Sequence, residues 1–194
     1  MKKLFVLANL LLLTACDPFE GNLSVKYAFL VKGKANAVVA AGDHSAKLDF
    51  DGKKKITINL KQNGKKQKIE LNLNNKLNLP NNGSFELTAA DLGGQDFSSR
   101  GTVQTQTRDS ELRREYESCS YQRREHVCYP TKNGVVCRDE YRTVYGRRPV
   151  EFIDRTTYQQ LAVNFIHANG ALLADFNGDK QSTERLYRYQ GHCF

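Results

Sequence analysis

Five cysteines and four histidines carry the richest chemistry in this chain: Cys16, Cys119, Cys128, Cys137 and Cys193, with His44, His126, His167 and His192. Thiolate and imidazole together can hold a cation such as zinc, or act as a nucleophile and its base. His126 stands two residues before Cys128, and His192 directly precedes Cys193. Neither spacing matches a standard zinc finger, whose ligands come in short, regular pairs. A Cys-His nucleophile needs a thiolate held beside imidazole, and no stretch of the sequence forces that proximity. A third outcome is oxidation to disulfides, and the compartment decides it.

The N-terminus speaks to the compartment. Met1-Lys2-Lys3 is a small positive segment, followed by Leu4 to Leu13, apolar except for Asn9. That is the layout of a secretory signal peptide over 1–15. The run is too short to span a bilayer, which takes about 20 apolar residues. It ends in Leu13-Thr14-Ala15-Cys16, which resembles the lipobox of the bacterial lipoprotein class at all four positions. The resemblance implies a lipid on the Cys16 thiol, cleavage before Cys16, and acylation of the new N-terminus. One acyl chain anchors a protein only marginally, whereas two or more hold it stably. The expected partner is therefore a membrane, reached through lipidated Cys16 and a tether over 16–22. Asp17 resembles the inner-membrane retention signal of enteric lipoproteins, so the expected location is the periplasmic side of the cell envelope, leaning toward the inner membrane.

Export makes disulfides the expected state of Cys119, Cys128, Cys137 and Cys193, with no metal and no cofactor. Four cysteines allow three pairings. Pro130-Thr131-Lys132-Asn133-Gly134 is a strong turn. If Thr131 to Gly134 form a four-residue loop, Cys128 faces Cys137 and Cys119 is left for Cys193. A two-residue Asn133-Gly134 loop would instead set Cys128 opposite Asp139. The first arrangement is adopted.

Other motifs fall short of a catalytic or metal site. Asp175-Phe176-Asn177-Gly178-Asp179 starts like a calcium loop, but Lys180 stands where glycine is needed and Leu186 where the bidentate glutamate belongs. An Asn-Gly turn is the simpler reading. Glu111, Glu115, Glu117, Glu125 and Glu151 all have arginines nearby, so ion pairing is expected before acid-base catalysis. The serine-hydrolase elbow, the phosphate loop and the zinc-protease helix motif are all missing from the sequence.

The most suggestive surface feature is an Arg/Tyr mixture. Arg113, Arg114, Tyr121, Arg123, Arg124, Arg138 and Arg142 are the candidate ligand-binding residues, interleaved with Tyr116, Tyr129, Tyr141 and Tyr145. Both residue types are enriched in binding hot spots, and arginine grips phosphates and carboxylates bidentately. The competing reading is a two-faced sheet that long charged side chains simply cover. The formal charge of +8 falls to +6 without Lys2 and Lys3. This moderate balance favours anionic lipid, lipopolysaccharide, wall polymer or an acidic protein as partner. Nucleic acid is not expected of an exported chain.

The elements that would position these residues are strands. Leu23, Val25, Tyr27 and Phe29 alternate on one face, as do Ala46, Leu48 and Phe50, then Ile56, Ile58 and Leu60, then Ile69, Leu71 and Leu73. Period two with one wet face predicts antiparallel sheet. Asp51-Gly52, Asn63-Gly64 and Asn82-Gly83 mark hairpin turns. Lys53-Lys54-Lys55 and Lys65-Lys66 flank these turns as solvated tips that guard strand edges. Thr102 to Thr107 alternates as a polar strand. Glu111 to Tyr129 as a strand puts Cys119, Tyr121, Val127 and Tyr129 at one parity, with Val135 to Tyr145 returning as its partner. Tyr158 to His167 fits helix or strand, and strand is adopted because its neighbours are β. Asn169-Gly170 and Asn177-Gly178 are read as further turns, with Thr183 to Tyr189 as the last strand.

Composition shifts midway. From 16 to 99 there is no arginine, whereas from Arg100 on only Lys132 and Lys180 interrupt it. The expected architecture is all-β, an antiparallel sandwich or meander of two subdomains. These are a Lys-rich subdomain over 23–92, a linker over 93–101, and a disulfide-stapled subdomain over 102–194. The expected function is a non-enzymatic binding or assembly module at a membrane surface. An inhibitor of an exported hydrolase is second, because a disulfide-closed β protein can plug a cleft with a rigid loop. An uncharacterised envelope enzyme is third.

Overall fold

Alternating apolar residues bury one face of a strand and leave the other wet, and this pattern runs through the protein. A computed structural model describes residues 17–33, 36–50, 54–62 and 64–194. The expected signal peptide and lipobox with Cys16, the expected Asp51-Gly52 turn, Lys53 and Asn63 lie outside them. Eleven strands follow in order: β1 (Phe19–Val25), β2 (Phe29–Val31), β3 (Ala37–Val39), β4 (Gly42–Phe50), β5 (Lys55–Gln62), β6 (Lys65–Asn72), β7 (Gly83–Leu87), β8 (Phe97–Asp109), β9 (Arg113–Thr131), β10 (Gly134–His167) and β11 (Leu172–Gln190). The described residues contain no helix. The chain divides into two units, 1–106 with 158–181, and 107–157 with 182–194.

In the first unit the sheet order is β6-β5-β4-β1-β11-β10-β8-β7, while β2 and β3 pair as a separate small sheet. The expected alternation holds: Ala46, Leu48, Ile56, Ile58, Leu60, Ile69, Leu71 and Leu73 are all buried. The β5–β6 hairpin pairs Gln62 with Lys65, as the Lys-flanked turn predicts. Tyr158 to His167 is the end of β10, and Gly170, at φ 89°, turns the chain into β11. Phe29, Val31 and Val39 of the small sheet join Phe97 and Phe165 in one hydrophobic cluster, which lies wholly in this unit. Phe97 meets Phe29 edge-on at 5.3 Å and Phe165 at 5.9 Å between ring centroids.

Five expectations that bear on this unit are corrected, four here and one below. The linker over 93–101 is instead a turn running into β8, and its Phe97 and Ser99 are buried. Neither expected subdomain stands by itself in sequence, because the ends of β10 and the start of β11 complete the first unit. Residues 19–22, expected as part of a tether, belong to β1 instead, and Phe19 is 2% exposed. Tyr27 leaves the buried face and is 62% exposed, because the chain bends after Val25 and the amides of Lys26 and Tyr27 both donate to the Leu173 carbonyl.

Asn177-Gly178 is not a turn. β11 runs straight through it, with Gly178 opposite Gly21 and Asn177 opposite Asn22 of β1. Glycine is required here for space, since a Cβ on Gly21 would lie 2.0 Å from the Asn177 carbonyl oxygen and 2.5 Å from the Gly178 Cα. A strand glycine of this kind marks close backbone approach. The partial calcium-loop pattern is therefore spread along an extended strand, where successive side chains point to opposite faces.

The second unit is a long antiparallel ribbon. β9 pairs with β10 from Arg113 opposite Phe152 to Thr131 opposite Gly134. The loop is Lys132-Asn133, two residues rather than the expected four, yet it keeps the register that sets Cys128 opposite Cys137. Ser110 joins β8 to β9 by donating its amide to the Asp154 carbonyl, and its hydroxyl accepts from the Asp154 amide. No residue of β9 is buried, and in this unit burial is confined to Val150, Phe152 and Ile153 of β10.

Candidate binding ribbon

Beyond the buried Val150, Phe152 and Ile153 the β9–β10 ribbon has no core, and a two-stranded ribbon is marginal by itself, so what holds its tip half together is covalent and polar. Cys119 is bonded to Cys193 and Cys128 to Cys137. Paired residues share a face, and alternate pairs lie on opposite faces. One face carries Arg113, Tyr121, Arg123, Val127, Arg138, Arg142 and Val144, and the other carries Arg114, Arg124, Tyr116, Tyr141, Tyr145 and Arg147. The candidate patch is thus not one patch. Arg113, Tyr121, Arg123, Arg138 and Arg142 come together on the first face, while Arg114 and Arg124 stand on the opposite one.

The first face is an ion-pair lattice. Glu117 accepts from the Tyr187 hydroxyl and from Arg185 at 3.3 Å, with Arg148 3.6 Å from its other oxygen. Arg185 lies 3.7 Å over the buried Phe152 ring and reaches Asp154, which Arg113 also contacts at 3.3 Å. Nearer the tip, Arg123 bonds Glu125, and Arg142 stands 3.7 Å from the same carboxylate. Arg138 bonds Glu140 at 2.8 Å and lies 5.0 Å over the Tyr129 ring, while the Tyr129 hydroxyl donates to Glu140. Exposed pairs of this kind are worth about 0–1 kcal/mol each, so the arginines here mainly cover the sheet.

These bonds shift the carboxylates. The Tyr187 hydroxyl and then Arg185 hold the Glu117 carboxyl below its ordinary value. Arg123 does the same for Glu125, and Tyr129 with Arg138 for Glu140. A carboxylate whose folded pKa is depressed stabilises the fold above its unfolded pKa, and that contribution fades as pH falls through the folded value. Stability of the ribbon should therefore be full above about pH 5 and decline below about pH 4. The urea midpoint followed by tyrosine circular dichroism should drop over that interval, and Glu117→Gln should flatten part of the drop. A midpoint independent of pH would contradict this.

The second face is more open. Tyr145 is 83% exposed, Tyr141 70% and Tyr116 65%, and Tyr116 meets the exposed Phe194 ring edge-on at 6.2 Å. Arg147 stands between Tyr145 and Pro149 on the same face, while its backbone pairs with Phe194 through both amides. Among the candidate residues on this face, Arg124 bonds Asp139 and Arg114 bonds Glu151 at 2.8 Å. Sequence reasoning placed Tyr116, Tyr141 and Tyr145 in the Arg/Tyr mixture but took only the arginines and Tyr121 as candidate binding residues. Tyr121 itself is half-buried. The signal was available, because Tyr116, Tyr141 and Tyr145 fall at the parity opposite the half-buried residues Tyr121, Val127 and Val144.

The Lys-rich tips of the first unit are largely solvated. Lys54, Lys65 and Lys66 are exposed, and Lys55 pairs with Glu70 at 3.1 Å. A shallow hollow of that unit is lined by Thr102, Gln104, Gln160, Asn177 and Asp179, amides and hydroxyls with one carboxylate.

No protein-family model, no curated protein and no solved structure matches this chain.

Proposed function

We propose that this chain is a bacterial envelope lipoprotein, anchored through lipidated Cys16, whose ribbon docks a partner protein as a non-enzymatic binding or assembly module. The observation that carries this reading is the open tyrosine face of β9 and β10, cross-linked by two disulfides. Rigid, exposed tyrosines give large contact area at low entropic cost, and they dominate protein interfaces. Arg147 on the same face, which has no carboxylate partner among the described residues, favours an acidic partner surface. Anionic lipid, lipopolysaccharide or wall polymer would bind through charge alone. Most ribbon arginines already have a carboxylate partner, which disfavours that mode.

Photocrosslinking from position 145 in living bacteria, followed by mass spectrometry, tests the proposal. One dominant acidic protein is the expected capture, and Tyr141→Ala with Tyr145→Ala should weaken its binding about 30-fold, as loss of a hot spot does. Arg123→Ala on the opposite face should leave affinity within about twofold, since rim and off-face residues are nearly neutral. Capture of lipid or wall fragments alone, released by salt, would replace the protein-docking reading with an electrostatic one.

Inhibition of an exported hydrolase is the second reading. The Lys132-Asn133 tip, with the Cys128–Cys137 bond a few residues behind it, supports it. In that case the tip rather than the tyrosine face would crosslink, and Lys132→Ala would relieve inhibition.

A further inference from the structure

Two adjacent cross-strand pairs near the ribbon tip share one face: His126 opposite Asp139, and Cys128 opposite Cys137. The imidazole and both sulfurs lie within 4.8 Å of one another. Asp139 Oδ1 lies 3.0 Å from His126 Nδ1, and its other oxygen is held by Arg124. All four side chains reach the surface, and both cysteines are exposed. The other disulfide differs, because Cys119 and Cys193 are half-buried.

We propose that, once the Cys128–Cys137 bond is reduced, the ribbon tip is a zinc site formed by Cys128 Sγ, Cys137 Sγ and His126 Nε2, with Asp139 as the positioning residue. An exposed disulfide is the accessible one for a dithiol reductant. That reductant transfers two electrons and becomes a disulfide itself, leaving thiols on Cys128 and Cys137. Binding of Zn²⁺ then releases one proton from each thiol, and the dithiolate balances the charge of the ion. Tetrahedral zinc, with Zn–S about 2.3 Å and Zn–N about 2.0 Å, places its ligand atoms roughly 3.5–3.8 Å apart. A cluster already within 4.8 Å needs little movement to reach that geometry once the sulfurs separate. The His126–Asp139 contact matches the carboxylate–histidine–metal arrangement, which leaves the other ring nitrogen for the ion. Three protein ligands leave a fourth position open to solvent. The metal would thus replace the disulfide as the clip across the hairpin.

The test uses the full chain carrying Cys16→Ser, Cys119→Ser and Cys193→Ser, so that only Cys128 and Cys137 remain. Cobalt(II) serves as the spectroscopic probe and zinc as the competitor. After reduction, one equivalent of Co²⁺ should give thiolate charge-transfer and tetrahedral visible bands that Zn²⁺ abolishes, and the oxidised chain should give none. Asp139→Asn should weaken binding about 10- to 100-fold, and His126→Ala at least as much. If reduction loosens the ribbon, Zn²⁺ should restore its strand circular dichroism. Absence of the bands in the reduced chain, or equal bands after Cys128→Ser and Cys137→Ser are added, would overturn the site. So would strand structure lost on reduction that zinc fails to restore. None of these outcomes depends on what docks at Tyr141 and Tyr145.

Discussion

Phe97→Ala is expected to cost about 3–5 kcal/mol of unfolding free energy, the range for a buried phenylalanine. Phe97 is 1% exposed and lies against the rings of Phe29 and Phe165, which stack on one another at 6.1 Å. These three rings come from the small sheet, β8 and β10, so one truncation leaves a cavity where three separate stretches of the chain converge. Partial collapse cannot fill it easily, because Leu92, Val31 and Val39 nearby in the cluster are themselves fully buried. Urea unfolding should show the loss as a lower midpoint with an unchanged slope. A linker phenylalanine would shift stability by no more than about 0.5 kcal/mol, so the measurement separates the two readings of 93–101 cleanly.

The second large effect is expected from Cys119→Ser combined with Cys193→Ser. The bond joins residues 74 apart in sequence, and closing a loop of that size stabilises by about 4 kcal/mol in the chain-entropy account. Removing Cys128–Cys137, whose partners are 9 apart, should cost about 2.5 kcal/mol on the same account. The ribbon has almost no apolar burial to compensate, so the loss should be local. Hydrogen exchange should report it: amides of β9 and the first half of β10 should lose protection, while those around Leu48 and Leu71 keep theirs. If protection fell equally throughout, the two units would share one cooperative transition, and the local account would be wrong.

Much of the fold was legible because period-two burial is a local signal. Ile56, Ile58 and Leu60 announce both the strand and the side that is buried, and a dipeptide such as Asn63-Gly64 announces where it returns. The failures have physical causes. Asn177-Gly178 has the composition of a turn, but its glycine answers to the backbone of β1 across the sheet, a constraint that exists only after pairing. Phe97 sits among Gly, Gln, Asp and Ser, and its burial comes from Phe29 and Phe165, each more than sixty residues away in sequence. The candidate patch failed for a reason that was readable: Arg113-Arg114 and Arg123-Arg124 are neighbours, and neighbours on a strand face opposite ways. Which arginines are already paired with a carboxylate was not readable, since Arg124–Asp139 and Arg114–Glu151 are cross-strand pairs fixed by register.

β11 lies between β1 and β10 in the sheet, and Glu20 pairs with Asp179. A strand near the start of the described chain must therefore wait for one far downstream before its second edge is filled. Pairing across such a span is slow, because most of the loop-closure entropy is lost before the contact forms. As the chain emerges from one end during synthesis, β1, β4, β5 and β6 can assemble early, leaving β1 as an open edge of apolar and backbone groups. During that interval the half-built sheet is most exposed to aggregation and to cleavage. Its yield in the cell should depend more on chaperones that guard the open edge than on the stability of the finished fold.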